Sequence, residues 1–162
     1  MRIGIVAALL ATVSFAEQIL PYQVGASEEC TVSFPDPGDQ FTFTQISGQE
    51  NFNIIAAQTK GDPDPIELGK PCVFTIAGLA THPIVIDKME FVCCLIGQNV
   101  YDEKYAPTGG SGTTTANPGT VWSGDVTFDI PPIIPPSTYD IIIRGLDPDG
   151  NQLFSVTTAF KK

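Results

Sequence analysis

The residues that could do chemistry in this chain are few and stand apart from one another. Its single histidine, His82, precedes Pro83 in a predicted turn. Neither a G-x-S-x-G turn for a serine nucleophile nor an H-E-x-x-H zinc motif accompanies it. Nucleophilic and acid–base catalysis need such groups within hydrogen-bond reach of one another. We therefore expect a protein that is not an enzyme and that carries no cofactor.

The acidic clusters are better explained as turns than as metal sites. Asp147, Asp149 and Asn151 match the first three ligand positions of an EF-hand loop, but Gln152 stands where that loop needs glycine and Thr158 where it needs glutamate. The Asp-Pro-Asp stretch at 62–64 also predicts a turn. The cysteines lack histidines at metal-ligand spacing, so we expect no metal.

The four cysteines, Cys30, Cys72, Cys93 and Cys94, are disulfide candidates. They allow three complete pairings, of which the vicinal one is strained. The open alternatives join Cys72 to one of the two neighbours and Cys30 to the other, or leave two thiols free. Because the runs at 71–78 and 84–97 are interpreted as neighbouring strands, we predict a bridge between Cys72 and either Cys93 or Cys94.

The N-terminus has the layout of a secretory signal. Arg2 is followed by an apolar stretch from Ile3 to Phe15 and by small residues at Ser14 and Ala16. The stretch is shorter than the roughly 20 residues that span a bilayer. We predict a signal peptide at 1–16 and a single mature domain at 17–162. The localisation would be secreted or in an endolysosomal or vacuolar lumen, where disulfides can form.

Composition excludes some partners. The net charge of −10 and the scattered lysines and arginines argue against nucleic acid, which requires a basic stripe. A hydrophobic content of 43% with 10 phenylalanines is ample for a packed core. Strong acidity weakens adsorption to an anionic bilayer at neutral pH, and a lumen of low pH would reduce that repulsion. We expect any transient membrane contact at the apolar segment formed by Pro131, Pro132, Ile133 and Ile134.

Strand-type alternation dominates the sequence. The runs at 72–78 and 121–130 place apolar and polar residues on opposite faces, and about seven such runs are separated by clusters of Pro, Gly and Asp. No helical periodicity of any length appears. The pattern predicts an antiparallel β-sandwich or barrel. The stretch at 108–120 has the composition of a flexible loop.

The stretch DIPPIIPPSTYDIIIRGLDPDGNQLFSV predicts a β-hairpin that is preceded by an extended, proline-rich segment. Its prolines impose an extended approach that cannot pair as a central strand. Tyr139, Ile141 and Ile143 then share one face, and the turn Asp147-Pro-Asp-Gly150 returns the chain into a second strand.

Two stretches carry a resemblance to a known family. DPDPIELGKPCVFTIAGLATHPI and IPPSTYDIIIRGLDPDGNQLFSV resemble, in order and spacing, segments of the ML lipid-recognition family. That family includes the Niemann–Pick type C sterol carrier, group 2 mite allergens and phosphatidylglycerol/phosphatidylinositol transfer proteins. The resemblance covers roughly residues 52–160. It implies an immunoglobulin-like sandwich of about seven strands, with an apolar cavity that holds a lipid between its two sheets.

The chain departs from that family at its cysteines. Family members usually join an early cysteine to one on the final strand, where this chain has Ser155. Cys30 fits the early position but lacks that partner. The resemblance therefore implies a divergent member whose disulfides cannot be copied from the family.

An apolar slot could bind a lipid without any catalytic residue. Burying a tail of about sixteen carbons gains on the order of 10 kcal/mol before opposing costs. The inward-facing residues would form the wall of such a slot, although a closed core would contain the same residues. We therefore predict a carrier of a sterol or phospholipid, and the alternative is a secreted adhesion, coat or co-receptor module with a closed core. The predicted lipid-binding residues are Phe74, Ile76, Met89, Phe91, Trp122, Phe128, Ile130, Tyr139, Ile141 and Ile143.

Overall fold

The computed structural model describes residues 28–162, which contain eleven β-strands, two short 3-10 helices and no α-helix. The predicted signal peptide at 1–16 lies outside the described residues, as does the predicted start of the mature domain at Glu17. None of the helices in the described part is long and apolar enough to cross a membrane.

Five antiparallel strands form the first sheet, here called sheet A. Its order is β1-β11-β10-β6-β7. The strands are β1 (Thr44–Ser47), β6 (Lys88–Leu95), β7 (Gln98–Tyr105), β10 (Thr138–Leu146) and β11 (Gln152–Lys161).

The second sheet, sheet B, is built around β4. Strands β2 and β3 pair with successive parts of one side of β4, and β9 pairs along the other side. A separate two-stranded ladder joins β5 to β8. The bounds are β2 (Phe52–Ile54), β3 (Lys60–Asp62), β4 (Pro71–Ala80), β5 (Ile84–Val85), β8 (Thr115–Ala116) and β9 (Val121–Asp129).

The core lies between the inner faces of the two sheets. Alternate residues of β4 and β9 are buried, as the alternating pattern predicts for strands with one face covered. The largest buried side chains include Trp122, Phe52, Phe74, Phe91 and Phe154. The predicted antiparallel β-sandwich is confirmed.

The outer face of sheet A is also covered, by residues 28–34. Cys30 packs with Val92, Cys94 and Ile142 in a second apolar cluster. The side-chain hydroxyl of Thr157 donates a hydrogen bond to the Ser33 carbonyl. Burial on both faces explains why β6 and β10 are nearly continuous apolar runs instead of alternating ones.

The predicted hairpin at the C-terminal end is present. Strands β10 and β11 pair from Thr138↔Lys161 to Leu146↔Gln152. The Asp147 carboxylate accepts hydrogen bonds from the backbone N–H groups of Asp149 and Asn151 and from the Asn151 amide. These bonds lower the pKa of Asp147, chiefly through Asn151, because they stabilise its ionised form.

The structure differs from the sequence interpretation in two segments. The apolar run at 84–100 is not one strand but β5, β6 and the start of β7, with a two-residue turn at Ile96-Gly97. The stretch at 108–120, predicted to be a flexible loop, packs along β9: Thr108 and Asp125 exchange backbone hydrogen bonds, and Ser111 donates one to the Ser123 carbonyl.

The predicted bridge from Cys72 to Cys93 or Cys94 is wrong. Cys30 is bonded to Cys94, while Cys72 and Cys93 are free and buried. Strands β4 and β6 are separated in sequence only by the short strand β5, but they belong to different sheets. Cys72 and Cys93 both face the core, whereas Cys94 faces outward beneath residues 28–34. The alternative in which Cys30 pairs with one of the vicinal cysteines and two thiols stay free is the one observed.

We expect the Cys30–Cys94 bridge to stabilise the fold substantially. It joins residues with a sequence separation of 64, so removing the bridge raises the conformational entropy of the unfolded chain. The variant Cys30→Ala/Cys94→Ala should lose about 2–4 kcal/mol of unfolding free energy in denaturant titrations. In the parent, peptide mapping without reduction should recover the 30–94 link. Recovery of a link to Cys72 would contradict the fold.

Candidate binding cavity

The sandwich has two seams, where the edge strands of its sheets face each other. At the first seam, between β1 and β2, Gln45 closes the gap. Its amide donates to the carbonyls of Ser47 and Phe52 and accepts from the N–H of Ile54. This seam is held by directional hydrogen bonds.

The second seam lies between β7 and β9 and is closed differently along its length. Near the middle of β9, the loop after β7 is bonded to Ser123 and Asp125, and the Trp122 indole donates to the Gly112 carbonyl. Towards the end of β9 the contacts are aromatic: the Phe128 ring lies 4.7 Å from that of Phe91 and 4.9 Å from that of Tyr101.

An apolar cavity of about 160 Å³ lies at this aromatic end of the second seam. Sheet A, sheet B and the proline-rich segment at 130–137 all contribute to its wall. The wall consists of Cys93, Val100, Tyr101, Phe128, Ile130, Pro131, Ile134, Tyr139 and Phe160.

The polar groups of this wall already have partners. The Tyr139 hydroxyl donates to the Pro135 carbonyl at 2.9 Å, and the Tyr101 hydroxyl is hydrogen-bonded to that of Tyr105. Burial, and for Tyr101 the bond to Tyr105, raises the pKa of both phenols, so both stay neutral. The cavity therefore offers apolar surface and satisfied hydroxyls, which suits an alkyl group better than a polar one.

All ten predicted lipid-binding residues face or pack against the core, but they differ in their relation to the cavity. Phe128, Ile130 and Tyr139 line it. The other seven belong to the core and do not line it: Phe74, Ile76, Met89, Phe91, Trp122, Ile141 and Ile143.

Six lining residues were absent from the predicted wall. The sequence predicts Pro131 and Ile134 only as part of an exposed apolar segment, and Cys93 only as a disulfide candidate. Val100 and Tyr101 follow the Ile96-Gly97 turn, so their orientation depends on recognising that hairpin. Phe160 faces inward on β11, two residues beyond Thr158, and the alternation of that strand could have identified it.

The described residues contain no group of three or more His, Cys, Asp or Glu side chains that could hold a metal. Three charged side chains of sheet A, with Glu29, form a network of ion pairs. Arg144 contacts Glu90 at 2.8 Å and Glu29 at 3.3 Å, and Lys104 contacts Glu90 at 3.3 Å. This network lies on the outer face of the sheet, away from the cavity.

The fold and the cavity together define an antiparallel β-sandwich with an apolar cavity at one seam. No protein-family profile and no curated protein sequence matches the chain. Solved structures of other proteins are similar to it, among them the following two. Chicken MD-1 complexed with lipid IVa shows 13% identity and a TM-score of 0.48, covering 75% of this chain and 88% of that one.

The second similar structure is a Niemann-Pick type C2 protein from the Japanese carpenter ant, with 12% identity and a TM-score of 0.46. The match covers 80% of this chain and 98% of that one. At these identities the likeness concerns the fold alone.

The two free thiols predict an alkaline loss of stability. Burial raises the pKa of Cys93 to about 12 and that of Cys72 to about 11. Because the folded state favours the neutral thiols, their contribution is complete below the ordinary thiol pKa of 9.0 and is lost as the pH rises through about 11–12. Between pH 9.0 and about pH 12, the denaturant midpoint should fall less with rising pH in Cys72→Ala/Cys93→Ala than in the parent. Equal slopes would contradict the burial of these thiols.

Proposed function

We propose that the protein is a secreted, non-enzymatic carrier that holds the tail of a sterol or phospholipid between its sheets. The observation that carries this proposal is the apolar cavity at the second seam. Its wall combines side chains from both sheets, and its tyrosine hydroxyls already have partners. A site of this kind binds by excluding water from apolar surface and needs no reactive group.

The size of the cavity determines how a lipid would enter. A volume of about 160 Å³ compares with the roughly 150 Å³ that admits benzene, whereas binding sites for whole small molecules usually measure about 300–1,000 Å³. A complete tail therefore requires the sheets to part. The sheets would part most easily at the second seam, because the contacts that close it around Phe128 are between side-chain rings.

If the sheets parted from the cavity inward past Phe160, a ligand would reach Thr158, which is two residues away on the same strand. Thr158 pairs with Ile141, whose side chain is in the core, so both side chains are on the inner face. Its hydroxyl is buried and has no hydrogen-bond partner among the described residues. A polar group on the cargo would satisfy it, which supports a lipid with a hydroxyl or ester at that depth.

The second candidate function is an adhesion, coat or co-receptor module with a closed core. The observation in its favour is that seven of the ten predicted wall residues belong to the core and do not line the cavity. The two functions differ in whether the protein carries a lipid. Organic extraction of the protein purified from a secreting cell should release a stoichiometric lipid if it is a carrier and none if it is a closed module.

A filling substitution tests the cavity directly. Cys93→Phe places a ring in the cavity, so we expect binding of a fluorescent sterol or phospholipid to fall at least about tenfold with little loss of stability. The same change at Cys72, which is fully buried and does not line the cavity, should cost about 1–3 kcal/mol of stability while folded protein still binds. Thermal melts and binding titrations on both variants separate the two effects.

Two results would argue against a carrier. The first is a parent protein that neither releases a lipid nor binds either probe. The second is an equal loss of stability in Cys93→Phe and Cys72→Phe, because the space next to Cys93 would then be as tightly packed as the core.

Export is a separate part of the proposal. If residues 1–16 are a signal peptide, the protein collected from the medium of a secreting cell should begin at Glu17. N-terminal sequencing measures this directly. Retention of Met1 in a membrane fraction would contradict export, although the cavity and its binding assays would be unaffected.

A further inference from the structure

A second cavity adjoins the candidate binding cavity at Phe160. Its volume is about 150 Å³, and that of the binding cavity is about 160 Å³. Phe160 is the one residue that belongs to both walls. We call the second space the charged groove, and we define it by Asp39, Phe41, Asp64, Phe160, Lys161 and Lys162.

The inner part of the charged groove is apolar. Phe41, Ile66 and Leu68 line it, and all three are partly buried side chains that pack against the core. The Phe41 ring lies close to Gly61, where an added Cβ atom would come within 2.6 Å of it. Glycine at that position therefore allows the ring to pack against β3.

The Phe160 side chain stands between the charged groove and the binding cavity. Its ring stacks on that of Tyr139, which lines the binding cavity, at 5.0 Å. It meets the Phe41 ring of the charged groove edge-on at 6.2 Å. Because both contacts are between rings, a movement of Phe160 breaks no hydrogen bond of its side chain. Once joined, the two spaces would reach the roughly 300 Å³ at which sites for whole small molecules begin.

Charges of both signs line the charged groove. Lys161 and Lys162 come from the end of β11, whereas Asp39 and Asp64 come from two other segments. No ion pair within residues 28–162 joins either lysine to either aspartate. A groove whose opposite charges are not paired with each other is complementary to a ligand that carries both signs itself.

Hydrogen bonds hold the segments that carry these charges. The Asp64 carboxylate accepts the Phe41 N–H at 3.0 and 3.1 Å, which ties the turn after β3 to the segment that contains Asp39. The Lys162 N–H donates to the Ser137 carbonyl, next to the pairing of Lys161 with Thr138. Anchored segments lose little conformational freedom when a ligand binds, so more of the electrostatic attraction contributes to affinity.

We propose that the charged groove holds the zwitterionic head group of a phospholipid whose tail occupies the binding cavity. The two lysines contact the phosphate, and the two aspartates contact the amine. This inference rests on the proposed function for the tail, and it selects the cargo. A sterol has a hydroxyl and no charge, and a purely anionic head group would leave both carboxylates without a positive partner.

The test is a titration of the full mature protein with short-chain lipids that stay monomeric in water, so that no membrane is present. Identical acyl chains are carried by phosphatidylethanolamine, phosphatidylcholine, phosphatidylglycerol and uncharged diacylglycerol. We expect the first two, which are zwitterions, to bind about tenfold more tightly than the other two at low salt. Only the zwitterions offer a charge to the lysines and another to the aspartates.

Neutralising each sign of charge should change the order of affinities in a different way. Lys161→Gln/Lys162→Gln should weaken binding of the phospholipids, about tenfold for the zwitterions, and leave diacylglycerol unchanged. Asp39→Asn should weaken binding of phosphatidylethanolamine and strengthen that of phosphatidylglycerol, because it removes a carboxylate that repels the anionic head group. Asp39 is exposed, so the fold should be unaffected. A merely structural role would not move the two lipids in opposite directions.

Matched controls remove the same charges elsewhere. Lys60→Gln/Lys88→Gln changes the net charge as much as the lysine pair does, and Asp149→Asn matches Asp39→Asn. The three control residues are exposed and line neither the charged groove nor the binding cavity. Both control variants should bind all four lipids like the parent, and thermal melts should show that every variant is folded.

Failure of this inference and failure of the carrier function can be told apart. A parent that binds the four lipids equally, or groove variants that change binding no more than their controls, would overturn the head-group site and leave the carrier standing. A parent that binds none of the four would contradict the carrier and the head-group site together. Cys93→Phe fills the space for the tail, so it should weaken all four lipids alike, whereas Lys161→Gln/Lys162→Gln should spare diacylglycerol.

Discussion

The structure depends on contact between aromatic rings of opposite sheets. Phe52 of sheet B stacks on Phe154 of sheet A at 4.7 Å, Phe74 contacts Phe91 at 5.4 Å, and Phe91 stacks on Phe128 at 4.7 Å. Such pairs add specific geometry to a large buried apolar area. They hold the sheets together along the core, and the cavity begins where the pairs end, beyond Phe128.

The sequence predicts the faces of the strands well because alternation is a local property. The bounds of β10 and the Asp147–Gly150 turn follow from prolines, a β-branched run and turn residues that all lie within about twenty positions. The inward orientation of Phe74, Trp122 and Tyr139 follows from the same local pattern. These features need no knowledge of what packs against them.

The sheet that a strand joins is not determined by its local sequence, and the wrong predictions come from this assignment. Cys72 and Cys93 both face inward, as alternation predicts, but nothing in the alternation shows that β4 and β6 lie in opposite sheets. The Ile96-Gly97 turn escapes notice because it lacks the asparagine or aspartate that usually marks such hairpins. Once that turn is missed, the inward orientation of Tyr101 is missed as well.

Which inward residues line an opening cannot be predicted from their own types. Phe128 and Phe74 are similar in sequence pattern, yet Phe128 is partly buried beside the cavity and Phe74 is fully buried against the rings of Phe41, Phe43 and Phe91. The difference comes from their neighbours across the sandwich. Phe128 is near the end of β9, where the opposing edge is the lightly covered strand β7.

A carrier without its ligand keeps its folding stability only if its empty cavity is small, as this cavity is. An enclosed, unfilled apolar cavity costs about 24 cal/mol per Å³. A permanently open slot of about 500 Å³ would cost about 12 kcal/mol on the same scale, as much as the whole stability of a typical domain. An unloaded carrier of this size must therefore close most of its space.

Reopening that space is within the reach of the cargo. A tail of about sixteen carbons gains on the order of 10 kcal/mol when it leaves water, which is comparable to the cost of separating the sheets. A tail that starts in a bilayer gains little on transfer, because it exchanges one apolar surrounding for another. Loading from a membrane must then rely on contacts that replace those lost in the bilayer, such as a partner for the buried Thr158 hydroxyl. In the proposed carrier, the same near balance would let the tail return to a bilayer, because the aromatic rings at the second seam can close again once the tail has left.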